Sequence, residues 1–227
     1  MSALSEKAVM SGTKQPRPFV IGLTGPIASG KSTVAEMLRE RGAAIIDADD
    51  LYRSMLAPNS GLWKRIVARF GTGIVGANDE IDRGRLGAIV FRDSAALEDL
   101  DRLTHPAVVA EIRRQIAAAT ADVVVIEAVK LVQAGLLADV DSLRIVTADR
   151  ETRLRRLMAR TGLDEARARV RVDASSDALS FTVPFFVSID NSGVLSTTAE
   201  AVESAWGALG MEGRDTGRAG SMINVKV

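Results

Sequence analysis

The order of apolar runs predicts an α/β fold, a parallel sheet flanked by helices and interrupted by a helical insertion. Three observations carry this reading. Short apolar runs recur at Phe19–Thr24, Ala43–Ile46, Asp122–Ile126 and Leu143–Thr147, the mark of strands buried on both faces. A Gly-rich turn follows the first run, then Val34, Met37 and Leu38 fall at helical spacing, with Gly42 as a stop. Strand, turn, helix and strand in this order open a doubly wound sheet. Third, residues 50–117 carry helical rather than alternating periodicity.

Within that insertion Leu62, Trp63, Ile66, Val67 and Phe70 form one apolar helical face. Leu97, Leu100 and Leu103 recur every third residue, and Val108, Val109 and Ile112 continue the pattern beyond His105-Pro106. No strand is expected there. Thr152–Arg171 reads as an Arg-rich helix, Val183–Asp190 as a last strand and Thr197–Leu209 as a final helix. The expected organisation is a polar, flexible tail over 1–17, a folded unit over 18–209 and a Gly-rich flexible tail over 210–227. The sheet core takes about 18–50, 119–150 and 183–209, the helical insertion about 51–118, and a further helical segment about 151–182.

Composition narrows the function classes. A chain of 227 residues suits one α/β domain with insertions, and 47% hydrophobic against 26% charged residues supports a sizeable core. The formal net charge is zero, which argues against a nonspecific nucleic-acid binder. Cysteine is absent, so disulfides, thiolate zinc sites and Cys nucleophiles are excluded. The lone histidine, His105, excludes a His-rich metal site. No apolar run reaches the ~18 residues that span a bilayer. The N-terminal stretch lacks the apolar core of a signal peptide, so the expected compartment is the cytoplasm. No internal repeat or heptad pattern is present, and the sequence sets no oligomeric state.

The strongest motif is Gly25-Pro26-Ile27-Ala28-Ser29-Gly30-Lys31-Ser32, which fits G-x-x-x-x-G-K-[ST] at every fixed position. Glycines let the backbone turn so that successive N–H groups face one phosphate. The following helix adds the positive end of its dipole. Lys31 would bring a charge to the β/γ-phosphates of a nucleotide and Ser32 a hydroxyl to Mg²⁺. A chance match arises in on the order of one in a hundred chains of this length. The strand before and the helix after make coincidence rarer still. This is a P-loop NTPase-type arrangement, and it implies ATP as ligand.

Other candidates follow from position. Asp47 and Asp49 lie at or just past the second strand, on the carboxyl edge where open α/β sheets bind ligands. Either carboxylate there accepts a proton from an attacking hydroxyl, helps hold Mg²⁺, or caps the next helix. Glu127 directly follows Val123–Ile126, the place of a carboxylate that assists Mg²⁺, or of an ordinary strand-end acid. Arg153, Arg156 and Arg160 share one side of a helix, with Leu154, Leu157 and Met158 on the other. Beside a phosphate loop such a row suits a lid that closes over the transferring group; alone it would be a solvated face. His105, before a proline in a helical region, reads on its own as a capping or core residue.

Taken together these stretches resemble the dephospho-CoA kinases. The resemblance rests on Ile21 through Thr33, Gly42, and Ile46-Asp47-Ala48-Asp49. It continues through Phe70-Gly71, Ile81-Asp82-Arg83, Leu86-Gly87, Val90-Phe91 and Leu103-Thr104-His105-Pro106. It ends with Arg153–Arg160 and Ile189-Asp190-Asn191, so it covers about 19–209. It implies a P-loop core, a helical substrate domain over the insertion and a lid over about 151–182. It also implies ATP-dependent phosphorylation of the ribose 3′-hydroxyl of dephospho-CoA. Asp49 would be the base, and Lys31 with Arg156 or Arg160 would stabilise the transferring group. Arg83 and His105 would lie toward the acceptor. Gly25 through Thr33 and Asn191 would hold the nucleotide.

The chain departs from that family's pattern in two places. After the third strand an acid-x-Pro-Leu-Leu-x-Glu run is expected, and here Glu127-Ala128-Val129-Lys130-Leu131-Val132-Gln133 stands. Arg169–Asp177 offers no Gln, and Phe181–Phe186 is unusually apolar. Two other readings compete: another small-molecule P-loop kinase, and a non-catalytic nucleotide-binding protein. A GTPase is disfavoured by the absence of an Asn-Lys-x-Asp motif.

Overall fold

The computed structural model describes residues 17–129, 131–132, 134–177, 181–183, 186–209 and 223–225. Five strands form one parallel sheet: β1 (Phe19–Thr24), β2 (Ala44–Asp47), β3 (Val123–Glu127), β4 (Ser142–Thr147) and β6 (Val187–Asp190). Their order is β2-β3-β1-β4-β6, so β1 lies in the middle. Two further short strands, β5 (Phe181–Val183) and β7 (Ile223–Val225), pair antiparallel in a separate ribbon.

Side chains of a strand alternate between faces, and here both faces are covered. Val20, Val124, Ile126, Leu143 and Ile145 pack on Val109, Ile112 and Ile116 of α5 (Ser94–Ala118). The opposite register, Ile21, Leu23, Val125, Val146 and Ile189, packs on Val34, Ala35 and Leu38 of α1 (Lys31–Glu40) and on Val202 of α8 (Leu195–Gly207). Val124, Val125 and Ile126 are consecutive and fully buried, which is why β3 reads as an unbroken apolar run. Each such side chain stabilises the fold by about 1.5–3 kcal/mol over leaving it exposed.

Between β2 and β3 the chain is helical: α2 (Ala48–Met55), α3 (Gly61–Phe70), α4 (Arg83–Val90) and α5. The extended structure described there is an isolated bridge between Val75 and Ile81. These helices bury a core of their own, with Leu62, Ile66, Ile74, Leu86 and Val90 at its centre. Asp47, Ser60, Asp82 and Asp93 cap the four helix starts through their side chains, each stabilising its helix by about 1 kcal/mol. Helix α5 runs through Pro106, and Thr104 donates its hydroxyl to the Leu100 carbonyl one turn earlier at 2.8 Å.

Two expected elements divide. The single helix expected over Thr152–Arg171 is α6 (Arg150–Thr161) followed by α7 (Glu165–Asp177). Gly162, left-handed at φ 68°, ends the first, and Asp164 accepts from the Arg167 N–H at 2.8 Å to start the second. The strand expected over Val183–Asp190 narrows to β6, while Val183 belongs to β5. Pro184 and Phe185, between them in the sequence, lie outside the described residues. Most of the two stretches read as tails lies outside the described residues, as do Lys130 and Gln133; Ile223–Val225 is the described part of the second.

Candidate active site

The strand order sets the site. From β1 the chain leaves toward β2 and β3, then crosses back to β4, so connections diverge on either side of β1 at its carboxyl end. Ligands of open α/β sheets bind in such a crevice. Register brings the other carboxylates there: Asp47 is opposite Glu127, and Leu23 of β1 is opposite Glu127 on the other flank.

The loop from Gly25 to Gly30 occupies this crevice, and its glycines are sterically required. A Cβ at Gly25 would lie 2.2 Å from the Val146 carbonyl oxygen. Gly30 is left-handed at φ 93°, and a Cβ there would lie 2.0 Å from Asn191 Nδ2. Ala28 also takes a left-handed turn, at φ 60°. Pro26 has no N–H, and the Ser29 N–H closes a turn onto the Pro26 carbonyl at 3.2 Å. The Ile27 N–H donates to Ser175 Oγ of α7 at 2.7 Å. Among the described residues the N–H groups of Ala28, Gly30, Lys31 and Ser32 have no protein acceptor. These four donors stand at the positive end of α1, an arrangement built for an anion.

Lys31 is buried beside them. Its ammonium donates to the carbonyls of Gly25 at 2.9 Å and Pro26 at 3.3 Å. Burial pulls its pKa below the ordinary lysine value, opposed by the negative charges of Glu127, Asp49 and Asp47. Ser32 donates its hydroxyl to Glu127 Oε1 at 3.0 Å. Burial pushes the Glu127 carboxyl above its usual range, while the Ser32 hydrogen bond and Lys31 pull it back. Thr33 lies one position deeper in α1, its N–H bonded to the Gly30 carbonyl at 3.1 Å.

The two aspartates after β2 separate in role. Asp47 is the cap of α2, its Oδ1 accepting from the N–H groups of Asp49 and Asp50 at 2.9 Å each. The Asp49 carboxylate makes no hydrogen bond among the described residues, and burial followed by the Asp47 charge raises its pKa. Lys31 and Arg53 oppose that rise. A carboxylate held basic beside a phosphate loop is equipped to take a proton.

The arginine row also divides. Arg153 is buried, and burial lowers its pKa. Arg156 reaches the loop, its guanidinium 3.4 Å from the Ser29 carbonyl. Arg160 is exposed, yet its charge is felt at Lys31. Asn191 is buried at the end of β6, donating through Nδ2 to the Ser29 carbonyl at 2.8 Å and accepting from Thr198 Oγ1 at 2.8 Å. Its amide is thus committed to holding the loop.

Arg83 and His105 sit in the insertion, on α4 and α5. His105 Nε2 lies 3.4 Å from Asp101 Oδ1. Tyr52 of α2 joins them: burial raises its pKa, the Asp101 charge adds to the rise and the Arg83 charge opposes it. Tyr52 and Asp101 escaped sequence reasoning, as did Ser175. The signal for Tyr52 was its place one helical turn after Asp49. Ser175 left no signal in the pattern.

Mg²⁺ binds few protein oxygens and keeps waters and phosphates as its other ligands. No group of three or more acidic or histidine side chains able to hold a metal exists among the described residues. The Ser32 hydroxyl and the Glu127 carboxylate, 3.0 Å apart and next to Asp47 and Asp49, fit an ion that arrives with phosphate oxygens.

The comparisons with known proteins converge. A family model described as dephospho-CoA kinase matches residues 19–193. The dephospho-CoA kinase of Geobacter sulfurreducens is 41% identical over 190 residues, 82% of this chain and 96% of that one. That of Geobacillus kaustophilus is 40% identical over 198 residues, 84% of this chain and 98% of its own. Among solved structures, TT1252 from Thermus thermophilus superposes with TM-score 0.70 at 29% identity, covering 86% of this chain and 99% of that one. The dephospho-CoA kinase from Campylobacter jejuni, at TM-score 0.59 and 22% identity, shares the fold over 86% of this chain and 98% of its own. No helix among the described residues is long and apolar enough to cross a membrane. With a family model over most of its length and relatives at about two-fifths identity, the chain belongs to the dephospho-CoA kinase family.

Proposed function

We propose that this chain transfers the γ-phosphoryl group of ATP to the ribose 3′-hydroxyl of dephospho-CoA, releasing ADP and CoA. One observation carries the reading: four free loop N–H groups and the Lys31 ammonium stand beside the Asp49 carboxylate, whose basicity burial has raised. A donor-phosphate cradle next to a base is the minimum that phosphoryl transfer to an alcohol needs.

In this reading Gly25 through Thr33 hold the ATP phosphates. Lys31 leaves the loop carbonyls for the β/γ-phosphates. Asp49 orients the acceptor hydroxyl and takes its proton. Ser32 and Glu127 would hold Mg²⁺, whose charge would offset that of the phosphates. Arg156 and Arg160 face the transferring group from α6, and the α6–α7 hairpin serves as lid over about 151–182. The insertion over about 51–118 receives the acceptor, with Arg83 and His105 turned toward it. Asn191 acts on the nucleotide through the loop backbone it braces.

The test is ADP release from Mg-ATP with purified protein, with and without dephospho-CoA. AMP, adenosine and shikimate serve as parallel acceptors. ADP formed with dephospho-CoA alone is the expected result. Faster turnover with another acceptor moves the assignment to that substrate, and ATP binding without stimulation by any acceptor removes the catalytic reading.

A further inference from the structure

Helix α7 hydrogen-bonds the phosphate loop through the hydroxyl of Ser175. Ser175 Oγ accepts from the Ile27 N–H at 2.7 Å, across 148 positions of sequence. The contact is reinforced on both sides. The side chains of Ile27 and Ala28 pack on the hairpin's own core of Leu154, Leu157, Ala168 and Val172. Arg150, the first residue of α6, grips both carboxylate oxygens of Asp173 at 2.8 Å each, fixing α7 two residues before Ser175. Arg156 of α6 meets the Ser29 carbonyl at 3.4 Å. Two variable positions of the loop motif are therefore part of the hairpin's packing.

The loop's donors show what this bond is for. Pro26 has none, Ser29 closes the turn, and Ala28, Gly30, Lys31 and Ser32 are left for the anion. Ile27 is the loop donor satisfied from the hairpin. Four donors remain for phosphate without it, so an anion can bind the loop without taking the Ile27 N–H from Ser175. A long arginine alone is a poor ruler, because its side chain loses about 2 kcal/mol of rotamer entropy when fixed. A short serine on a rigid helix, two residues past an ion pair, holds distance far better.

We propose that Ser175 is a positioning residue. Its hydroxyl anchors α7 to the phosphate loop at Ile27 and thereby sets where α6 presents Arg156 to the transferring phosphoryl group. This rests on reading the site as a phosphoryl-transfer centre. Ser175 touches no reacting atom; it acts through the hairpin. A neutral hydrogen bond of this kind changes an equilibrium by about fivefold.

The experiment compares wild type with Ser175→Ala, Ser175→Thr, Arg156→Ala and the Ser175→Ala/Arg156→Ala pair. Two readouts are taken: amide exchange of Ile27 by NMR in nucleotide-free protein, and kcat and KM with ATP and dephospho-CoA. Ser175→Ala should speed Ile27 exchange about fivefold and lower kcat about fivefold, with KM for dephospho-CoA unchanged. Ser175→Thr, which keeps the hydroxyl, should restore both. In the Arg156→Ala background the further loss from Ser175→Ala should disappear, because the serine acts by placing that arginine. Unchanged Ile27 exchange in Ser175→Ala overturns the anchor. Fully additive kcat losses overturn its link to Arg156. A wild type that does not turn over dephospho-CoA removes the activity reading by itself, and Ile27 exchange still decides the anchor.

Discussion

The carboxyl end of the sheet and the helical insertion hold the two halves of the site in different ways. At the sheet, the backbone does the holding. Gly25 and Gly30 have no room for a Cβ, Asn191 ties the loop to α8, and Lys31 is buried among carbonyls and carboxylates. In the insertion, side chains do it. His105 and Asp101 are about a third exposed, at 34% and 38%, and meet at 3.4 Å. A site set by backbone does not reorganise when charge develops, whereas one set by half-exposed side chains adapts to its ligand. Substitutions at the sheet end should therefore act on kcat, and those in the insertion on KM for the acceptor.

The two largest effects should come from Lys31→Ala and Asp49→Asn. The Lys31 ammonium is held at the loop by the Gly25 and Pro26 carbonyls, and a preorganised charge of this kind is worth about 10²–10³ in kcat. The fold should survive, because burial already disfavours the charged lysine and its removal relieves that strain. Single-turnover rates and a melting curve check both halves of the expectation. Gly30→Ala tests the same end through geometry. The new Cβ meets Asn191 Nδ2 in a left-handed backbone, so ATP affinity and thermal stability should fall together.

Asp49→Asn is the second of the two. Loss of a positioned base reduces rates by about 10²–10⁴, here without disturbing the α2 cap, which belongs to Asp47. ATP affinity, read by titration, should stay near wild type. An unchanged kcat would take Asp49 out of the mechanism and leave the acceptor hydroxyl to be activated from elsewhere.

The same contrast explains what sequence could reveal. The loop was legible because backbone geometry demands glycine where a Cβ collides, and phosphate chemistry asks for lysine and serine where the helix begins. The parallel strands were legible because Val124, Val125 and Ile126 are buried on both faces. Less legible was the break at Gly162, since the arginines on either side kept helical spacing across it. The division between Asp47 and Asp49 was open because both a cap and a base suit an aspartate after a strand. Only coordinates show Asp47 accepting two backbone N–H groups. Ser175 was invisible, because a contact spanning 148 residues through one hydroxyl leaves no period or spacing to read.

His105→Ala sharpens the contrast from the other side. It removes the partner of Asp101 in the cluster with Tyr52 and Arg83. KM for dephospho-CoA should rise about fivefold, the worth of one polar contact, while KM for ATP and saturated kcat stay within about twofold. Equal loss in kcat would place His105 at the reacting atoms and end the division of labour between the two halves.

The smallest effect isolates the field between the two aspartates. Asp47→Asn keeps the α2 cap, because asparagine caps as well as aspartate. It removes the like charge that, after burial, raises Asp49. The sign follows directly. Asp49 must be ionised to accept a proton, so activity falls as pH drops through its raised pKa. Removing the Asp47 charge lowers that pKa, and the acid limb of kcat should move to lower pH, while the melting temperature at neutral pH stays unchanged. A limb that stays fixed means that burial alone sets the basicity of Asp49. Loss of activity at every pH would mean that the Asp47 carboxylate is itself required for turnover.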